Sequence, residues 1–259
     1  MQVTYLGHSG FMLETDYAYY VFDYYRGAVP TFNAEGTDKP VFVFSSHRHE
    51  DHYVEKIITD QAFAQTTTYF LSHDIARRIR RLQKDEPDQQ VLDQLEKIVY
   101  CREGDPIEQD GLRISCLKST DIGVAFVVEE LASGLKFYHA GDLNWWHWEE
   151  EGKAYNRNME VNFKREIDRI AGSHFDAAFM LLDPRLEGAY CYGMNYFLEK
   201  CSADMVFPMH MWEHYEYIQK YLDEHPENGL ILTRDMPKDA KAQGKSYIAA
   251  IEKDGQLFC

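Results

Sequence analysis

The chain has 259 residues, 43 of them acidic against 27 basic, for a formal net charge of −16. That balance argues against a nucleic-acid partner, which needs a basic stripe to neutralise phosphates, and no run approaches the ~18 apolar residues of a membrane span. A hydrophobic fraction of 45% supplies a substantial core, and the length fits one layered α/β domain spanning residues 1–259.

Residues 3–6, 11–14, 18–22 and 41–45 are apolar, β-branched or aromatic runs bounded by turn residues, and read as strands. Segment 26–39, rich in Gly and Asn, is a loop. From Asp51 the pattern turns helical, with Val54, Ile57 and Ile58 at helical spacing, and 67–72 reads as a buried strand. Asp74 is expected to cap a helix carrying Ile75, Ile79 and Leu82, which breaks near Pro87 and resumes through Val91, Leu92, Leu95 and Ile98. Strands are expected over 112–117, 124–130, 135–139 and 177–182, and helices over 159–170, 192–201 and 211–222. Strands over 230–232, 247–251 and 256–258 close the chain. Strands then helices, twice over and without a linker or repeat, fit two sheets packed face to face with helices outside.

Arg77, Arg78, Arg80 and Arg81 form the densest basic cluster; on a helix followed by acidic residues it reads as a solvated face, with anchorage of an anionic group as the alternative. Five cysteines, an odd number with no C-x-x-C pair, suit a reducing compartment. Met1-Gln2-Val3-Thr4 runs straight into a strand pattern with no leader, so the expected location is cytoplasmic.

The chemistry concentrates in His47-Arg48-His49-Glu50-Asp51-His52, directly after the apolar run 41–46. Imidazole nitrogens and carboxylate oxygens are the ligands that borderline divalent metals prefer. Residues two apart in an extended chain point the same way, so His47 and His49 can converge on one ion, while Asp51 and His52 come round the turn toward a second position.

This motif resembles the signature of the metallo-β-lactamase superfamily, and further elements follow in the same order. Tyr5-Leu6-Gly7-His8-Ser9-Gly10-Phe11 is similar to the opening of the branch of metal-dependent hydrolases that includes L-ascorbate-6-phosphate lactonase. Val21-Phe22-Asp23 resembles the strand-ending aspartate that supports the metal loop, His139-Ala140-Gly141-Asp142 the metal-bridging aspartate, and Phe207-Pro208-Met209-His210 the late strand whose histidine completes the second site. The resemblance implies a four-layer αββα sandwich of two mixed sheets with helices outside. It also implies His47 and His49 on the first ion and His52 and His210 on the second, with Asp142 bridging and Asp51 as ligand and water-orienting catalytic group. Asp23 would hold the second N–H of a ligand histidine.

One element departs from the pattern. The family's third histidine for the first ion falls in Leu117-Lys118-Ser119-Thr120-Asp121-Ile122-Gly123, and no histidine lies between His73 and His139. Asp121 is the candidate substitute, with a water beside Ser119 and Thr120 as the alternative. The expected cofactor is Zn2+, one or two ions, with Mn2+ or Fe2+ open.

Around this set, His8 is a site-edge or strand-turn histidine and His139 a core histidine, while His147 and His214 are pocket candidates. Trp145, Trp146 and Trp148 follow the bridging aspartate as a pocket wall or as packing. Arg185 either meets an anionic substrate group or pairs with an acidic neighbour. The expected function is metal-dependent hydrolysis of a small, possibly anionic ester, lactone or phosphoester by a metal-bound hydroxide. The alternatives are an iron-dependent oxidoreductase on the same fold and a metal-binding or sensing protein whose first site has degenerated.

Overall fold

The computed structural model describes residues 1–27, 29, 31–33, 36, 38–85, 88–228, 248–251 and 257–258. The expected strand at 230–232 and the break at Pro87 lie outside the described residues. The chain divides into two compact units, one formed by Met1–Arg102 with Asp235–Cys259 and the other by Glu103–Arg234.

The first unit carries an eight-stranded mixed sheet. Its strands are β1 (Gln2–Gly7), β2 (Gly10–Glu14), β3 (Tyr19–Phe22), β4 (Val41–Ser45), β5 (Thr68–Ser72), β6 (Ile98–Cys101), β15 (Ile248–Ile251) and β16 (Leu257–Phe258), in the order β16-β15-β1-β2-β3-β4-β5-β6. The hairpin β1–β2 and its neighbours pair antiparallel; β3 to β6 run parallel. Strand alternation divides the side chains between two faces. Tyr19, Val21, Val41, Val43, Tyr69 and Leu71 pack with Ile57, Ile58, Ile79, Val91 and Leu95 from the helices α1 (Lys56–Thr59), α2 (Ala76–Asp85) and α3 (Gln89–Leu95), and with Phe63 and Ile75 from the 3₁₀ turns Gln61–Phe63 and His73–Ile75. On the other face Phe22, Phe44 and Phe70 stack across three adjacent strands, with ring centroids 4.8 and 5.0 Å apart. Buried parallel strands need apolar residues on both faces, hence the continuous run Val41-Phe42-Val43-Phe44.

The second unit carries a six-stranded mixed sheet. It comprises β7 (Ile107–Gln109), β8 (Leu112–Lys118), β9 (Val124–Glu130), β10 (Lys136–His139), β12 (Ala177–Leu181) and β14 (Val206–Met209), ordered β14-β12-β10-β9-β8-β7. The meander β7 to β10 is antiparallel, whereas β10, β12 and β14 are parallel. A two-stranded sheet pairs β11 (His174–Phe175) with β13 (Ser202–Ala203). Helices α4 (Lys153–Asp168) and α5 (Tyr192–Lys200) contribute buried Phe163, Ile167, Met194 and Phe197, and α6 (Glu216–Glu224) follows β14. Two large mixed sheets with helices are the fold the sequence predicts.

Four local expectations are corrected. No helix starts at Asp51: the amides of His52 and Tyr53 both bond to the His49 carbonyl in a turn, and only Lys56–Thr59 is helical before Asp60 caps the next turn. Asp74 sits inside a 3₁₀ turn and caps no helix there. Ile98 belongs to β6, because the β-branched pair Ile98-Val99 takes the parallel register beside Tyr69 and Phe70; its spacing from Leu95 is helical only by coincidence. The helix expected from Met211 begins at Glu216, since His210, Trp212 and Glu213 have φ of 63°, 50° and 67°.

Candidate metal centre

Chemistry gathers where parallel strands end, the edge at which open α/β sheets present their ligand-binding loops. In the first unit β3 ends at Asp23 and β4 runs into His47–His52. Asp23 is fully buried with φ 43°, and its carboxylate accepts the Ser46 amide at 2.7 Å, the Ser46 hydroxyl at 2.6 Å and Nδ1 of His52 at 2.7 Å. Because the Ser46 hydroxyl donates to Asp23, its oxygen is left to accept Nδ1 of His47 at 3.0 Å. One carboxylate therefore sets the tautomer of two histidines and turns both Nε2 lone pairs outward. Nε2 of His47 faces Nδ1 of His49 at 3.0 Å. Burial, and then the nearby His52, push the His47 imidazole well below its usual pKa, which favours the neutral form a metal needs.

The loop is clamped from α2 and the turn before it. The Arg48 amide donates to Asp74 at 3.0 Å and the Arg48 carbonyl accepts from Arg78 at 3.0 Å, which holds the peptide between the two histidines. This is where the predicted helix cap and one arginine of the basic cluster are used.

His8 is buried at the β1–β2 turn with φ 55°, after Gly7 at φ 109°, and its Nε2 lies 3.2 Å from Oδ2 of Asp51. Ligand atoms of His8, Asp51 and His52 lie within 4.8 Å of one another. Burial opposes ionisation of Asp51, but the adjacent His8 and His52 imidazoles outweigh it and hold the carboxyl far below the usual range. His8, expected at the site edge, thus lies within ion-pair distance of the proposed catalytic carboxylate.

In the second unit Asp142, Asp183 and His210 follow β10, β12 and β14 within three residues of the strand ends. Buried His210 places Nδ1 2.9 Å from Asp183 and Nε2 3.4 Å from Asp142. Asp183 is fully buried; burial would raise its carboxyl, but hydrogen bonds from His210 and Arg185 hold it down at about 2. Asp121 follows β8, its amide bonded to Ser119 Oγ at 3.1 Å, and offers a carboxylate oxygen within 4.8 Å of one from Asp142. Thr120 ties that loop to Asn144 through bonds of 2.6 and 3.1 Å. The stretch lacking a histidine therefore brings an oxygen donor beside Asp142.

The remaining predicted residues are placed as follows. Buried Trp146 donates Nε1 to the Asp142 carbonyl at 3.1 Å and lies edge-on to His210, so it packs the loop that follows β10. Trp145 packs at a tilt against Tyr192, with Lys164 over its ring at 4.2 Å. His139 is fully buried against Phe179 and accepts the Gly141 amide at 3.2 Å. His214 is exposed and bonded to Glu216 at 2.9 Å. Sequence reasoning missed Ser46 and the role of Asp183 beside His210. The latter had a signal: Asp183 ends the buried run 177–182 as Asp23 ends 18–22.

The donor sets suit a divalent ion. Each unit offers imidazole nitrogens with the far ring nitrogen already engaged, together with carboxylates. No helix among the described residues is long and apolar enough to cross a membrane.

No curated protein matches the chain. The fold is similar to that of Igni18, a novel metallo hydrolase from the hyperthermophilic archaeon Ignicoccus hospitalis, with a TM-score of 0.61 and 17% identity over 97% of this chain and 98% of that one. It is also similar to the isothiocyanate hydrolase from Delia radicum gut bacteria, with a TM-score of 0.50 and 12% identity over 92% of this chain and 97% of that one. CmlA, a diiron beta-hydroxylase from Streptomyces venezuelae, gives a TM-score of 0.52 and 10% identity over 89% of this chain and 52% of that one. At these identities the likeness bears on fold alone. Residues 2–159 match the family described as the beta-lactamase superfamily domain. With more than half of its length matched, and with two large mixed sheets and the histidine–aspartate motifs at their strand ends, this chain belongs to the metallo-β-lactamase superfamily.

Proposed function

We propose that this protein is a metal-dependent hydrolase of small, possibly anionic esters, lactones or phosphoesters, formed by one domain over 1–259 and working in the cytoplasm. The observation that carries the reading is the pair of histidine–carboxylate contacts, His52 Nδ1 to Asp23 and His210 Nδ1 to Asp183. Fixing Nδ1–H on both rings readies both Nε2 atoms for an ion, a device that core histidines do not require. The proposed ligands are His47 and His49 with Asp121 for one ion, Asp51, His52 and His210 for the other, and Asp142 for both.

A divalent cation held there lowers the pKa of a bound water and polarises the electrophilic group of the substrate. Asp51 would orient that water and accept its proton, and the His8 imidazole, with Nε2 3.2 Å from Oδ2, favours the ionised carboxylate that this role needs. Trp145 and Trp146 form one wall of the pocket, with His214 at its outer rim. Zinc is the expected metal, and the lactonase branch supplies the first substrate class to try. The buried free cysteines 101, 116, 191 and 201 agree with a reducing compartment.

Elemental analysis of protein purified without added metal tests this directly. Two equivalents of zinc or manganese, falling to one in Asp121→Ala, support the full ligand set; no metal after reconstitution defeats the reading. A second reading is iron-dependent oxidation, favoured by the oxygen-rich pair Asp121 and Asp142 and by the fold shared with a diiron hydroxylase. Iron content with a visible absorption band would support it over zinc. Bound metal without hydrolysis of any ester or lactone would favour a sensing role.

A further inference from the structure

The guanidinium of Arg185 is folded back onto Asp183: Nε lies 2.9 Å from Oδ1 and 3.1 Å from Oδ2, and Nη2 lies 2.5 Å from Oδ2. That Oδ2 is the atom that faces Nδ1 of His210 at 2.9 Å. The guanidinium carbon also sits among three indoles, 4.7 Å from the ring centre of Trp212, 5.6 Å from Trp148 and 6.0 Å from Trp146. Two of these rings touch the neighbouring groups as well. Trp146 and Trp212 lie edge-on to the His210 ring at 5.9 and 5.5 Å, and Trp146 bonds the Asp142 carbonyl.

This packing answers a strain. His210, Trp212 and Glu213 all have left-handed φ, each sparsely populated for a non-glycine residue and kept only where surroundings over-determine it. A fully buried carboxylate likewise needs a cationic partner. One planar cation supplies both. Its fork fixes the Asp183 plane and its faces fill the indole box, which a point-charge ammonium cannot do.

We propose that Arg185 is a positioning residue that holds His210 in its ligand orientation through Asp183, braced by Trp146, Trp148 and Trp212. The proposal rests on the reading of His210 as a metal ligand. It assigns Arg185 to ligand support, so that recognition of a substrate anion falls to other groups.

The test compares wild type, Arg185→Lys and Arg185→Met after metal removal. Zinc dissociation is measured by competition with a chromophoric chelator, and tryptophan emission and thermal midpoint are recorded on the metal-free proteins. In Arg185→Met one site should weaken by about 10- to 100-fold, the usual penalty for losing support behind a ligand. Arg185→Lys should recover only part of that, and both variants should shift the emission as the indoles lose the guanidinium packed among them. Should Arg185→Met fail to fold, Arg185→Lys alone decides. Wild-type zinc affinity in folded Arg185→Lys, even with a lowered thermal midpoint, overturns the proposal and leaves the metal site standing. A wild type that binds no zinc overturns the metal reading and this proposal with it.

Discussion

Asp23→Asn probes the hub of the metal loop. The amide preserves shape, and Asn tolerates the left-handed backbone that Asp23 adopts at φ 43°. What changes is acceptor capacity. The carboxylate accepts three hydrogen bonds of 2.6–2.7 Å from Ser46 and His52, whereas the amide offers one acceptor oxygen and turns an NH2 group toward the remaining donors. Hydrogen bonds to charged groups contribute about 1.5–3 kcal/mol each, so losing one or two in a fully buried site should cost about 3–5 kcal/mol. For a chain of this size that lowers the thermal midpoint on the order of 10 °C. Urea unfolding of the metal-free protein, followed by far-UV circular dichroism, measures the loss, and chelator competition should show weaker zinc binding by about 10-fold or more. A stability loss under about 1 kcal/mol together with unaltered zinc affinity would refute the hub.

Zinc at 100 times its dissociation constant should stabilise the fold by about 2.7 kcal/mol, read as a higher thermal midpoint that a chelator reverses; a midpoint insensitive to both would speak against a native-state site. Burial raises Tyr53 and Tyr138 well above the ordinary tyrosine range and pushes Tyr69 up to about 12. Unfolded tyrosines titrate near 10, so from about pH 10 upward the unfolded chain loses protons that the folded one keeps, and stability falls as pH rises; Tyr69 alone accounts for about 2 kcal/mol by pH 12. Tyrosinate absorbance at high pH should therefore appear in step with loss of the dichroism signal. Full titration of all 18 tyrosines with the fold intact would contradict this. Gly193→Ala on α5 drives a Cβ into the side chain of buried Asn144, two residues beyond Asp142. Despite the better helix propensity of alanine it should destabilise by about 1–3 kcal/mol, and an unchanged urea midpoint would show that the loop yields freely.

Much of this was legible before any coordinates. The strands at 41–45 and 124–130 coincide with the observed ones to the residue, because buried strands leave continuous apolar runs cut by turn residues. The motif at His47–His52 stood out because few arrangements other than a metal site gather three imidazoles and a carboxylate in six residues, whereas Asp23, Asp142 and His210 were singled out by the family resemblance. The errors fell where a local pattern had two meanings. Leu95 to Ile98 is helical by spacing, yet Ile98 joins a parallel ladder with β5, twenty-nine residues back at Tyr69. Asp74 looks like a helix cap, but its carboxylate is taken by the Arg48 amide.

Sequence by itself determined which donors exist and which strand ends carry them, since imidazole and carboxylate are properties of a side chain and a strand end is a property of local pattern. Tertiary structure alone decided what stands behind each donor. His52 is held by a residue twenty-nine positions away and His210 by one twenty-seven away, joined through parallel neighbours and the long crossovers that parallel strands require. Which ring nitrogen bears the proton, and therefore which can face a metal, depends on sheet register and on those crossovers, and no local stretch of the chain encodes either.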